Sequence, residues 1–172
     1  MQGGNNYMDL YLKIENFLGK LIKYIMFVLL IVMTVITTTE VVRRYIFGLS
    51  FPWAEELVRF SLIWLTFIGG SWVFKKGDMV LFDMAIGHLS KKNKSILALI
   101  MNTIVLIFLA FLFYYSCKFS FSPVIVKQIS TGLRLSMAVP YSSIPIGFGL
   151  MIFFGIGKYS ALLKNYKEEG GK

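Results

Sequence analysis

Six charged side chains crowd one short stretch of an otherwise oily sequence. Glu40 stands three and four residues before Arg43 and Arg44, while Glu55 and Glu56 stand four and three before Arg59. On a helix that spacing puts opposite charges on one face. Two kinds of chemistry fit: a proton or ion relay, or self-neutralising pairs that position two helices or meet a partner subunit. A charge at the bilayer centre costs a few kcal/mol on insertion scales. These six lie within about two turns of a single tight connection, so pairing near a membrane surface is the favoured reading. Other chemistry lacks its groups. His88 is the only histidine and Cys117 the only cysteine, which removes bis-histidine haem ligation, a disulfide framework and an all-cysteine metal site. There is no Gly-x-Ser-x-Gly, no phosphate-binding loop and no interior pair of carboxylates. The sequence therefore predicts neither an enzyme nor a cofactor in this chain.

The elements that hold these charges must be membrane helices. Of 172 residues, 56% are hydrophobic and 16% charged, with a mean hydropathy of +0.68. Ordinary soluble domains carry roughly a quarter charged residues, so this composition excludes a disordered chain and disfavours a soluble globule. A helix crossing the hydrocarbon needs about 20 mostly apolar residues. Ser95 to Cys117 and Leu135 to Gly157 are uncharged throughout; Tyr24 to Thr39 and Phe60 to Phe74 are shorter but extend into flanking helix. These runs do not alternate apolar with polar residues, which rules against a β-barrel. No small-residue cleavage pattern follows the first run, so it is expected to remain as a span. The expected fold is a single all-α membrane domain, residues 1–172, with spans over about 23–46, 53–75, 94–117 and 135–158.

Four spans put both termini on one side. Twelve Lys and Arg then fall on the side of the termini and the middle connection. Arg43, Arg44, Lys118, Lys127 and Arg134 fall on the other. The positive-inside rule makes the termini cytoplasmic. Topology thus accounts for the net charge of +9, with no need of nucleic acid as a partner.

From Tyr7 to Ile22 apolar residues recur at helical spacing, with Asp9, Lys13, Asn16 and Lys20 on the other face. That predicts an amphipathic helix at the cytoplasmic interface, the alternative being a first span that starts early. Pro52 suits the opening turn of the second span, where Glu55 and Glu56 meet the positive helix end and Trp53 sits at the interface. A short helix within 77–89 is expected in the middle connection, and a small external feature over 118–134. Pro140 and Pro145 should bend the last span. Thr66 and Gly70, and Ser143 and Gly147, are spaced for close helix approach. Trp64 and Trp72 are expected on outward faces. A transporter normally needs polar groups at its midplane; the third span offers Asn102 and Thr103, and the fourth almost nothing past Ser143. Physics alone points to a scaffold, not a conduit.

Arg44-Tyr45-Ile46-Phe47-Gly48-Leu49-Ser50, followed by Trp53-Ala54-Glu55-Glu56-Leu57-Val58-Arg59, resembles the small membrane subunit (Q-type) of tripartite ATP-independent periplasmic transporters. Ala138-Val139-Pro140 and Ile144-Pro145-Ile146-Gly147-Phe148 are similar to the opening of that family's last helix. The family's glycine–acidic–histidine string is here Gly77-Asp78-Met79, so a role for that histidine does not carry over, although Asp83 matches the aspartate that follows. The resemblance implies a subunit of the bacterial inner membrane that steadies a much larger membrane subunit. The larger subunit would hold the substrate and sodium sites, and a soluble periplasmic protein would deliver a carboxylate-bearing solute such as a C4-dicarboxylate or sialic acid. On that footing Arg43, Arg44, Lys118, Lys127 and Arg134 are expected to face the delivery protein. Glu40, Glu55, Glu56 and the three nearby arginines are expected to seat the large subunit. Two other classes compete: a small autonomous four-helix exporter, and a membrane anchor for an enzyme.

Overall fold

Unbroken apolar sequence in lipid has to satisfy its own backbone groups, and a helix does so within one segment. The computed structural model describes residues 3–77 and 91–170. It contains α1 (Gly3–Phe47), α2 (Pro52–Lys76), α3 (Lys91–Ser120), α4 (Pro123–Lys127), α5 (Ala138–Tyr141) and α6 (Ser143–Gly170). Four stretches are long and apolar enough to cross a membrane: Leu10–Phe47, Pro52–Lys76, Asn93–Ser120 and Ala138–Leu163. His88, Asp83 and the helix expected within 77–89 lie outside the described residues, apart from Gly77 itself.

The long helices do not close into a bundle. α1 packs on α2, α2 on α6, and α6 on α3, so the order in space is a row α1–α2–α6–α3, with the first part of α1 also reaching α6. The two end helices are consequently bare along most of their length. Phe27 and Val35 on α1 are 61% and 57% exposed, and Ile107 on α3 is 67% exposed. The largest shared interior is a cluster of Ile22, Ile68 and Phe154, where α1, α2 and α6 meet. Trp64 and Trp72 pack against that cluster. The sequence placed them on outward faces; the structure instead packs both indoles against this cluster, with Trp72 lying over the bare backbone of Gly19.

A separate interfacial helix over 7–22 is not formed. Those residues are the first part of α1, which runs on without a break. No proline interrupts the segment, and its one mid-helix glycine, Gly19, is used for packing: a Cβ there would lie 2.6 Å from the Trp72 ring. Tyr11 donates a hydrogen bond to the Phe153 carbonyl at 3.0 Å and Glu15 pairs with Lys75 at 3.1 Å. Both contacts hold this part of α1 along α2 and α6. With 45 residues, α1 is about 68 Å long, roughly twice the hydrocarbon thickness.

Small residues set the remaining seams. At Gly147 a Cβ would lie 2.8 Å from both Cβ and O of Phe67, so α6 and α2 touch almost backbone to backbone. Gly70 faces Met151 across the same seam, and Gly155 faces Leu106 of α3. Near the two prolines, α5 gives way to α6 at Ser142, which keeps helical dihedrals, with Pro140 fully buried and Pro145 in the first turn of α6.

Candidate functional site

The end of the row formed by the α1–α2 connection gathers nearly every charge singled out in the sequence. Gly48, at φ 63°, turns the chain out of α1. Glu40, only 8% exposed, sends Oε1 to the backbone N–H of Phe51 at 3.0 Å. A carboxylate thereby meets the electropositive start of α2. Arg44 bridges the two helices: its Nη2 donates to Glu55 Oε1 at 2.8 Å and lies 3.8 Å from Glu40 Oε1. Arg43 turns instead to the Phe51 ring, 3.5 Å from its centroid, and Phe51 stacks against Trp53 at 5.3 Å.

The expected pairing within α2 is absent. Glu56 does not hold Arg59, which is exposed and has no ion pair among the described residues. Glu56 Oε1 instead accepts hydrogen bonds from Thr131 N and Oγ1 at 3.0 and 2.8 Å, and Oε2 accepts one from Leu133 N at 2.9 Å. The reason is geometric. Oriented backbone N–H groups in a tight loop satisfy both carboxylate oxygens with fixed directions, whereas a neighbouring arginine on an exposed face competes with water.

Those bonds clip a hairpin to the head of α2. After α4, residues 128–137 double back through an isolated bridge between Ile129 and Ser136, with Ser130 N donating to Leu135 O and Met137 N to Gln128 O. At the tip, Gly132 lies so close to α2 that a Cβ would be 2.8 Å from Pro52 O and from Trp53 N and Cα. Arg134 takes φ 53° beside it. Ser120 Oγ donates to Tyr141 O at 2.9 Å, tying the end of α3 to the same corner. Lys118, Lys127 and Arg134 are all exposed there, on the same end of the row as Arg43 and Arg44. The sequence singled out a small feature over 118–134 and its charges but missed Glu56 as its clip and Gly132 as its contact. A Thr-Gly tip facing a carboxylate was the available signal, and it has no characteristic spacing across 75 residues.

Inside the row the polar groups are used up by the chain itself. Asn102 donates to Gly155 O at 3.2 Å, joining α3 to α6. Ser71, Ser116 and Ser143 donate to carbonyls one turn back, and Thr66 and Thr103 do likewise. Glu40 Oε2 is the one buried side-chain oxygen or nitrogen lacking a partner among the described residues. No group of three or more His, Cys, Asp or Glu suited to a metal ion occurs among them.

A row of apolar helices with self-satisfied polar groups and a charged, clipped corner at one end defines a multi-pass membrane protein. The family described as "Tripartite ATP-independent periplasmic transporters, DctQ component" matches residues 33–165, and the chain belongs to that family. It is a transporter component, not an enzyme. A "Putative TRAP transporter small permease protein" of Haemophilus influenzae is 24% identical over 94% of this chain and 95% of its own length. A second protein of that description from the same organism is 27% identical over 55% of this chain and 58% of its own. The "Isethionate TRAP transporter permease protein DctMQ" of Oleidesulfovibrio alaskensis is 26% identical over 58% of this chain, which spans 16% of that longer protein.

Proposed function

We propose that this chain is the scaffold subunit of a sodium-driven, binding-protein-dependent importer in the bacterial inner membrane. It braces a large membrane subunit that holds the sodium and solute sites, and binds no solute itself. The solute is a carboxylate-bearing anion of the C4-dicarboxylate or sialic acid class. The observation that carries this reading is the combination of self-satisfied polar groups with helices set in a row. A conduit needs free polar groups facing a path, whereas the buried Asn and Ser donors named above face the chain's own carbonyls. Extensive bare apolar faces on α1 and α3 suit a second membrane protein as well as lipid.

The corner built by Glu40, Arg44, Glu55 and Glu56 supports a seating role, and the exposed Arg44, Lys118, Lys127 and Arg134, with the half-buried Arg43 beside them, support contact with a periplasmic delivery protein. The twelve-to-five distribution of Lys and Arg supports cytoplasmic termini. Liposomes carrying the chain alone, the large subunit alone, or both, with the soluble protein and a sodium gradient, test the reading. Accumulation only with both subunits is expected. Sodium-driven uptake by this chain alone would overturn it, proton-coupled efflux would favour the exporter, and a soluble enzyme as sole co-purifying partner would favour the anchor. Reversing all five external charges should reduce uptake with the complex intact; unchanged uptake would remove the delivery contact.

A further inference from the structure

The opposite end of the row holds a feature that bracing does not use. Where the C-terminal turn of α2 meets α1 and α6, a cavity of about 690 Å³ opens between Glu15, Asn16, Trp72, Lys75, Lys76 and Lys158, with Phe154 in its wall. Cations crowd its aromatic floor. Lys23, Lys75 and Lys76 place Nζ 4.7, 5.5 and 5.7 Å from the Trp72 ring centroid, and Lys75 also lies 5.3 Å from that of Phe154. Among the described residues one carboxylate opposes them: Glu15 pairs with Lys75 at 3.1 Å, and Lys75 further donates to the Glu15 carbonyl. Among the described residues, Lys158 reaches only the Gly77 carbonyl, at 3.4 Å. Lys76 and Lys158 thus line the cavity, and Lys23 lies beside its Trp72 wall, with no ion pair among the described residues. The α2 C-terminal carbonyls carry partial negative charge that favours one or two such cations, yet not a cavity walled by them.

We propose that this cavity binds the phosphodiester headgroup of an anionic phospholipid, gripped by Lys76 and Lys158, with the acyl chains on the apolar surface beyond. The chemistry asked of the ligand is a compact anion beside an apolar body. Basic pockets between membrane helices at the cytoplasmic face take such headgroups, and Trp72 has the amphipathic ring suited to headgroup depth. The side chains split the work: Lys75 is already neutralised and holds the wall, while Lys76 and Lys158 remain for the phosphate and Asn16 for a glycerol hydroxyl.

The test is made on the intact purified chain. Native mass spectrometry and titration would compare short-chain phosphatidylglycerol, phosphatidylcholine of equal chain length, and inorganic phosphate. Phosphatidylglycerol should be retained well above phosphatidylcholine, and inorganic phosphate should not bind measurably. Each lysine near such a surface is worth about a fivefold factor, so K76Q/K158Q should weaken phosphatidylglycerol on the order of twenty- to thirtyfold. K76R/K158R should keep binding, which guards against a folding defect. K118Q/K127Q, at the other end, should leave binding unchanged. Equal retention of both lipids, equal loss in K118Q/K127Q, or full binding by K76Q/K158Q would overturn the site. Inorganic phosphate competing as well as the lipid would overturn the lipid assignment.

Discussion

Replacing Gly147 by alanine tests whether the α2–α6 seam depends on backbone approach. The new Cβ would lie 2.8 Å from Phe67 Cβ, 2.8 Å from its O and 3.0 Å from its C. Carbon atoms rest comfortably at about 3.5–4.0 Å, so the helices must part by roughly 0.7 Å at the contact. None of the three atoms can swing away, because all belong to the backbone or the first side-chain carbon. Moving the seam also disturbs the edge-on Phe67–Phe148 pair, whose centroids are 5.7 Å apart. Overpacking of this kind costs about 1–3 kcal/mol, which in a chain of this size lowers Tm by about 2–12 °C. Gly155→Ala is the internal comparison. Its Cβ would meet Leu106 Cδ2 at 2.7 Å, nominally tighter, but that methyl moves with a rotamer change. Thermal unfolding of the detergent-purified variants should show a clear loss for G147A and a smaller one for G155A. Refutation would be a G147A protein as heat-stable as its parent, or G155A falling at least as far.

Glu56→Ala should release the hairpin tip, seen as faster amide exchange at Thr131 and Leu133, while exchange through α3 stays the same; unchanged protection would show that the tip is held by something else. Gly132→Val should give a similar release, because the atoms it would strike are α2 backbone, and limited proteolysis near residue 132 reports it. Glu40→Gln keeps an acceptor for Phe51 N–H and removes a buried charge with one unpartnered oxygen. It should therefore hold or raise thermal stability, whereas Glu40→Ala should lose about 1–3 kcal/mol; the reverse order would contradict the capping role. Neutralising Arg44 and Glu55 together should reduce co-purification with the large subunit, and an intact, equally heat-stable complex would dismiss that corner as the seat.

Much of the architecture was legible because lipid imposes one strong demand, and long uncharged runs answer it in only one way. The α2 start at Pro52 was readable because proline and helix-end carboxylates act locally. What escaped were contacts chosen across the fold. Glu56 looked like half of a pair with Arg59, yet its partners are 75 and 77 residues away. Trp64 and Trp72 read as surface groups because helical pattern is weak when both faces are apolar. The separate segment over 7–22 was inferred from a polar face of Asp9, Lys13, Asn16 and Lys20, but Glu15, at the edge of the apolar face, binds Lys75 of α2. A charge pattern suited to an interface is thus also suited to a neighbouring helix.

Packing in a row leaves this protein with hardly any inside. Each helix position is either part of a narrow joint or part of an outer skin, and the skin need only be greasy. Joints such as Gly147 against Phe67 forbid added bulk, while neighbouring skin residues can trade Leu, Ile, Phe and Val at little cost. A protein organised this way can drift far in sequence and keep its shape, which is how a relative aligned over 94% of the chain shares only 24% of its residues. The few positions that resist such drift should be hinge-like glycines and clasps, not an oily majority.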